Sequence, residues 1–259
     1  AKSAASIPVI VKLTPNVASI LPPARAAMDG GADAVSLINT INSIMRVNYD
    51  TLTMYPTTDG MGTHGGYCGE AVKPIALNMV AEIARTRETS SMPISGIGGV
   101  TDWRDAVDFL ALGASNVQIC TAAMVYGFKI IDDLVDGLST FLDDKGMALK
   151  DLVGRAVPSV TDWQHLNLNY VEKAVIDQDL CIKCGRCHVV CEDTSHQAIT
   201  HTVDGERHFE VIDDECVGCN LCVSICPVDS CITMKQTSDD AAEKLSWTAH
   251  PNNPMRNTD

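Results

Sequence analysis

Two runs of four cysteines dominate the chemistry this sequence could do. Cys181, Cys184, Cys187 and Cys191 form the first; Cys216, Cys219, Cys222 and Cys226 form the second. Each reads C-x2-C-x2-C-x3-C. That spacing lets three thiolates on a tight loop reach three irons of a 4Fe–4S cube, while the fourth, on the helix that follows, ligates the other cube. The expected sets are therefore Cys181, Cys184, Cys187 and Cys226 for one cluster, and Cys216, Cys219, Cys222 and Cys191 for the other. A zinc ribbon would use two pairs and leave four cysteines unexplained. Disulfides fit poorly with thiols packed at i, i+3 and no secretory pattern in AKSAASIPVIVKLTPN.

A second group of residues sits upstream. Gly96-Ile97-Gly98-Gly99-Val100 ends one expected strand, and the next ends in Gln118-Ile119-Cys120-Thr121. Adjacent strand ends of this kind bind phosphate through backbone N–H groups, and glycine permits close approach. Alone, such a turn is only a tight connection; two together point to a phosphorylated cofactor. Lys12 lies in an apolar strand end, where a lysine seldom goes without a partner. It could set a positive charge beside the N1/C2=O side of a reduced flavin; the plainer reading is a lysine reaching out to solvent. Asn39 and Thr40 offer an amide and a hydroxyl able to read an imide-like ring, or simply form a turn. Gly69 would let backbone approach the cofactor. Cys68 and Cys120 read as packed or backbone-contacting rather than nucleophilic.

Elements able to position these groups follow a βα rhythm. Strands are expected at 8–13, 34–38 and 116–120, with another that begins at 93–95 and ends in the 96–100 run. Helices are expected at 17–30, 71–86 with Pro74 in the first turn, 102–112 capped by Thr101, 127–143 and 148–153. A long loop spans 39–69. Such alternation means a parallel sheet with right-handed crossovers. Four units make either a doubly wound sheet or the C-terminal half of a (β/α)8 barrel, and the truncated barrel is favoured. The expected domains are a partial barrel at 1–165, a linker at 166–178, an α+β ferredoxin-like cluster domain at 179–235 and a polar tail at 236–259. Asp204-Gly205 marks a hairpin turn.

The chain has 259 residues, 46% hydrophobic and 20% charged, which suits a large domain plus a small one. Its net charge of −14 disfavours nucleic acid as a partner. No apolar run approaches the roughly 18 residues of a membrane span. Odd cysteine number and thiolate ligation indicate a reducing, cytoplasmic setting. Between Tyr170 and Lys235 lie 12 acidic and 5 basic residues, an imbalance that either steers a basic redox partner or serves solubility.

The runs VKLTPN (11–16), GGADAVSLINT (30–40), THGGYCGEAVKPIAL (63–77), ISGIGGV (94–100) and VQICTAAM (117–124), followed by the tandem cysteine motifs, resemble the dihydropyrimidine dehydrogenase family over nearly all of residues 1–235. The resemblance implies an FMN-binding (β/α)8 barrel that reduces the 5,6 double bond of uracil or thymine. Lys12, Gly69, Ile97, Gly98, Gly99, Cys120 and Thr121 would contact FMN, mostly through backbone, and Asn39 and Thr40 would hold the pyrimidine. The eight cysteines would carry electrons from a partner flavoprotein subunit that holds FAD and oxidises NADH. Hydride would pass from FMN N5 to the ring.

Two departures stand out. Glu192 follows Cys191 where the usual motif has proline; Pro227 keeps that pattern after Cys226. The half of the barrel that carries the family's acid cysteine, a second FMN lysine and further substrate asparagines has no counterpart here. No catalytic acid is therefore assigned, and residues 1–259 alone are expected to be inactive. The competing readings are a dihydroorotate-dehydrogenase-like flavin enzyme, and a ferredoxin-type carrier without catalysis of its own.

Overall fold

The computed structural model describes residues 2–193, 196–238 and 243–256. The chain divides into two compact units, Ala1–Val160 and Thr161–Asp259. The first runs β1 (Ile10–Lys12), α1 (Leu21–Asp29), β2 (Ala34–Leu37), β3 (Ile41–Ser43), β4 (Arg46–Val47), β5 (Met54–Tyr55), β6 (Gly65–Tyr67), α2 (Lys73–Arg85), β7 (Ile94–Ile97), α3 (Trp103–Ala111), β8 (Asn116–Gln118), α4 (Thr121–Tyr126), α5 (Ile130–Lys145) and α6 (Leu149–Leu152).

β1, β2, β7 and β8 form a four-stranded sheet in that spatial order, all parallel. A doubly wound sheet reverses strand order at a switch point; this sheet keeps sequence order throughout. With right-handed crossovers, that places every helix on one face. Register and the two-residue period put Val11, Val35, Leu37, Ile94 and Gly96 on the same face, and Lys12, Ser36, Ser95 and Gln118 on the other. The apolar face joins α2 and α3 in one core with Ile83, Val80 and Phe109 fully buried. Gly96 is required there: a Cβ on it would stand 2.6 Å from the Phe109 ring.

Several boundaries differ from expectation for identifiable reasons. α1 begins at Leu21, not residue 17, because Pro22 and Pro23 fit only a first helical turn. The cap of α3 is Asp102, not Thr101: Asp102 Oδ1 accepts from Arg104 N at 2.7 Å and Asp105 N at 3.1 Å. The 39–69 loop carries two small antiparallel pairs, β3 with β6 and β4 with β5. β8 stops at Gln118, and α4 follows as an unforeseen helix.

The second unit holds β9 (Glu172–Ile176), α7 (Arg186–Asp193), β10 (Ile199–Asp204), β11 (Glu206–Val211), α8 (Leu221–Ile225) and β12 (Ile232–Gln236). β10 and β11 form the expected hairpin, with Gly205 alone at the turn and φ +85°. β9 corrects the linker reading at 166–178, because Glu172–Ile176 pairs antiparallel with β12 from Ile176↔Ile232 to Glu172↔Gln236. Within the tail, Leu245 N donates to Asn167 Oδ1 and Leu168 N to Leu245 O; residues 239–242 and 257–259 lie outside the described residues. No described helix is long and apolar enough to cross a membrane.

Candidate functional site

A cavity of about 370 Å³ opens where the four parallel strands end, a size typical of small-ligand sites. The nine residues singled out for cofactor and substrate all line it: Lys12, Asn39, Thr40, Gly69, Ile97, Gly98, Gly99, Cys120 and Thr121. They come from four strand ends and from the far end of the long loop. Tyr67 and Cys68 line it too, and Thr121 Oγ1 donates to Cys68 Sγ at 3.3 Å.

The glycine turn after β7 is shaped for close approach. Gly98 and Gly99 have φ of +141° and +75°, which side-chain-bearing residues rarely adopt. A Cβ at Gly99 would meet Gly69 O at 2.8 Å and Lys73 Cβ at 2.9 Å. Among the described residues, the Gly98 and Gly99 N–H groups donate to no protein acceptor. The next turn opens α4 with no side-chain cap at Cys120. Unpaired backbone donors at two neighbouring strand ends suit an anionic phosphate group.

Asp105 holds this turn in place. It accepts from Thr101 N at 2.8 Å, Thr101 Oγ1 at 2.7 Å and Asp102 N at 3.1 Å. It also pairs with the Lys73 ammonium, which reaches Asp108 at 3.1 Å. Burial pushes the Asp105 carboxyl up, but the hydrogen bonds from Lys73, Thr101 and Asp102 outweigh it and hold the pKa below the ordinary value. The bond to Asp105 raises Lys73 above its ordinary value. Asp105 therefore contributes stability above the ordinary carboxylate pKa, lost as pH falls through its lower folded value. Lys73 contributes below the ordinary lysine pKa, lost as pH rises through its higher folded value. We expect Asp105→Ala to destabilise the first unit by about 1–3 kcal/mol and to flatten the acid limb of its stability curve; chemical denaturation at pH 7 and pH 3 measures both.

Two contributors were not singled out from the sequence. Asn16 staples the β1 loop to the β2 loop: its Nδ2 donates to Thr40 O at 3.1 Å, and its Oδ1 accepts from Asn42 N at 2.9 Å. Gln118 lines the cavity floor, donating to Ser36 Oγ at 2.9 Å and Ser95 Oγ at 2.7 Å. Both lie inside quoted motifs, but their partners are 23 to 82 residues away.

In the second unit the cysteines surround two small cavities. One is lined by Cys181, Cys184, Cys187 and Cys226; the other by Cys191, Cys216, Cys219 and Cys222. These are the crossed sets expected from the spacing. Among the described residues no three His, Cys, Asp or Glu side chains are drawn together as a single-ion site. Thiolates spread around a cavity suit a multi-iron cube better than one tetrahedral zinc. Burial pushes the Cys187 thiol up to about 11 and raises Cys222 too; bound iron is what keeps such thiols deprotonated at neutral pH. Cys231, outside both runs, is buried beside the first cavity, and burial pushes its thiol up to about 12. α7 runs two residues past Cys191, through Glu192, whereas α8 stops before Cys226 and Pro227.

A family model described as dihydroorotate dehydrogenase matches residues 1–142, more than half of the 259. The chain belongs to the dihydroorotate dehydrogenase family. A 4Fe-4S dicluster domain model matches residues 174–234, a span that takes in most of β9. The NAD-dependent dihydropyrimidine dehydrogenase subunit PreA of Escherichia coli (strain K12) is 37% identical over 94% of the chain and 59% of its own length. The dihydroorotate dehydrogenase B (NAD(+)) catalytic subunit of Pyrococcus horikoshii is 42% identical over 58% of the chain and 47% of its own length. The chloroplastic dihydropyrimidine dehydrogenase (NADP(+)) of Arabidopsis thaliana is 34% identical over 70% of the chain and 43% of its own length. The chain thus spans about three-fifths of PreA and less of the others. This member of the dihydroorotate dehydrogenase family combines a flavin-type unit with an iron–sulfur unit. The residues present fit both groups: free backbone donors and a glycine cradle in one unit, paired thiol sets in the other.

Proposed function

We propose that the complete polypeptide reduces the 5,6 double bond of uracil or thymine. Electrons would come from NADH by way of a partner FAD flavoprotein, then two 4Fe–4S clusters, then FMN, in the reducing cytoplasm. The parallel sheet would be part of a (β/α)8 barrel, which its sequential strand order supports. The convergence on one cavity of the nine residues named from the sequence motifs and the family resemblance carries the reading.

Bound there, FMN would supply hydride to the pyrimidine ring and the clusters would supply its electrons. This chain's residues bind and orient. Gly98 and Gly99 offer backbone N–H groups to the phosphate. Lys12, at the end of β1, supports negative charge on the reduced ring. Asn39 presents its amide: its Oδ1 already accepts from Thr40 N at 2.9 Å, which leaves Nδ2 to donate to a pyrimidine carbonyl. Gly66 leaves room for Thr40, since a Cβ there would stand 2.3 Å from Thr40 Oγ1. The proton donor is assigned to none of these residues.

The family match and the Pyrococcus relative favour a second reading, a dihydroorotate-type substrate. The similarity of the full two-unit arrangement to PreA supports the pyrimidine reading over it. Asn39→Ala in the complete polypeptide is expected to raise the uracil KM or lower kcat, with kcat/KM down about tenfold for one lost hydrogen bond. Steady-state kinetics with unchanged constants would remove Asn39 from the site.

A further inference from the structure

One of the two cysteine sets has an ammonium bonded to the backbone of a ligand residue, and that contact bears on the potential of its cluster. This inference rests on the two-cluster reading above. Around Cys181, Cys184, Cys187 and Cys226 the remaining lining is apolar, with Ile176, Val228 and Ile232 among it, apart from the neutral thiol of Cys231. The Cys226 sulfur faces the carbonyl oxygen of Val228 at 3.5 Å. An oxygen there repels added negative charge once that sulfur is a thiolate.

The other set is also lined mainly by apolar side chains, but donors meet its ligand residues. Cys191, the counterpart of Cys226, accepts an N–H from Ala198 at 3.2 Å. The half-buried Lys173 on β9 donates its ammonium to the carbonyl of Cys216. Reduction adds one electron to a cluster, so hydrogen bonds to its sulfurs and nearby positive charge favour the reduced form. Charges flank both loops: the half-buried Lys183 with the exposed Arg186, Arg207 and Asp179 by the first, and the exposed Glu192 and Asp213–Glu215 by the second. Water and salt screen the exposed ones, while a half-buried ammonium bonded to a ligand residue is screened less.

We propose that Lys173 and the Ala198 N–H raise the potential of the cluster held by Cys191, Cys216, Cys219 and Cys222 above the value it would have without them. Lys173 acts as a positioning and tuning residue and does not touch substrate. Lys235 provides a control. It lies directly opposite Lys173 in the β9–β12 ladder but is exposed.

The test is an anaerobic redox titration of the complete polypeptide followed by electron paramagnetic resonance, with iron counted on the same samples. The unmodified protein should show two one-electron waves. Lys173→Met should lower one wave alone, shifting its reduction equilibrium by about tenfold, equivalent to 59 mV for one electron. Lys173→Arg should restore most of the shift, and Lys235→Met should move it less than about twofold. Should Lys173→Met fold poorly, Lys173→Gln keeps a donor without the charge and should give part of the shift. No change, an equal change in both waves, or an equal change from Lys235→Met overturns the inference while leaving two clusters in place. Four irons and a single spin per chain would instead overturn the two-cluster reading, and the inference with it.

Discussion

The Gly99→Val variant of the complete polypeptide is expected to purify without flavin and with its iron content intact. Gly99 has φ +75° and leaves no room for a side chain: a Cβ would press on Gly69 O and on Lys73 Cβ. Left-handed backbone costs a branched residue about 1–2 kcal/mol, and overpacking costs about 1–3 kcal/mol more. Relief requires the turn to move, which shifts the backbone donors and the Gly69 backbone together. Each 1.4 kcal/mol is tenfold in affinity, so flavin binding should fall by roughly 30-fold or more. Gly60→Val is the matched control. Gly60 has φ +74° with nothing within 4 Å of a Cβ, so it carries the backbone strain without the collision and should retain flavin. Flavin fluorescence released on heat denaturation, scored against iron, reads both variants. Full flavin retention by Gly99→Val would place the cofactor elsewhere.

Paired cysteine substitutions should divide the iron in a pattern that only crossed ligation explains. The two cavities assign Cys191 to the set of Cys216, and Cys226 to the set of Cys181. The complete polypeptide should carry about eight irons. Cys191→Ala with Cys216→Ala removes two ligands from one cluster and should leave about four irons. Cys187→Ala with Cys191→Ala touches both clusters and should leave almost none, although these residues share a single motif. Uncrossed ligation gives the reverse: no iron for the first pair and about four for the second. Iron analysis after anaerobic purification decides between them.

The sequence made these two centres legible because the signals are local. Ligand spacing and a glycine turn are written in consecutive residues, and backbone geometry acts on consecutive residues. What escaped notice depends on distant pairing. Asp105 looks like an ordinary first-turn carboxylate until the fold brings Lys73 to it across 32 residues. Gln118 needs Ser36 and Ser95, two strands that only the sheet register unites. β9 hid in a polar stretch because its partner β12 lies at the far end of the cluster domain. α4 hid because six residues are too few to show a helical period. The Asp102 cap was displaced by one residue because two good capping types stand side by side, and Asp105 draws Thr101 away.

In the proposed mechanism, electrons leave the iron–sulfur unit through a flavin to a pyrimidine ring. The most direct measurement is the visible spectrum of the complete polypeptide, reduced anaerobically and then mixed with uracil. We expect the bleached flavin band to recover on adding uracil or thymine and to stay bleached with orotate. Recovery with orotate but not with uracil, or iron absorption with no flavin band at all, would contradict it.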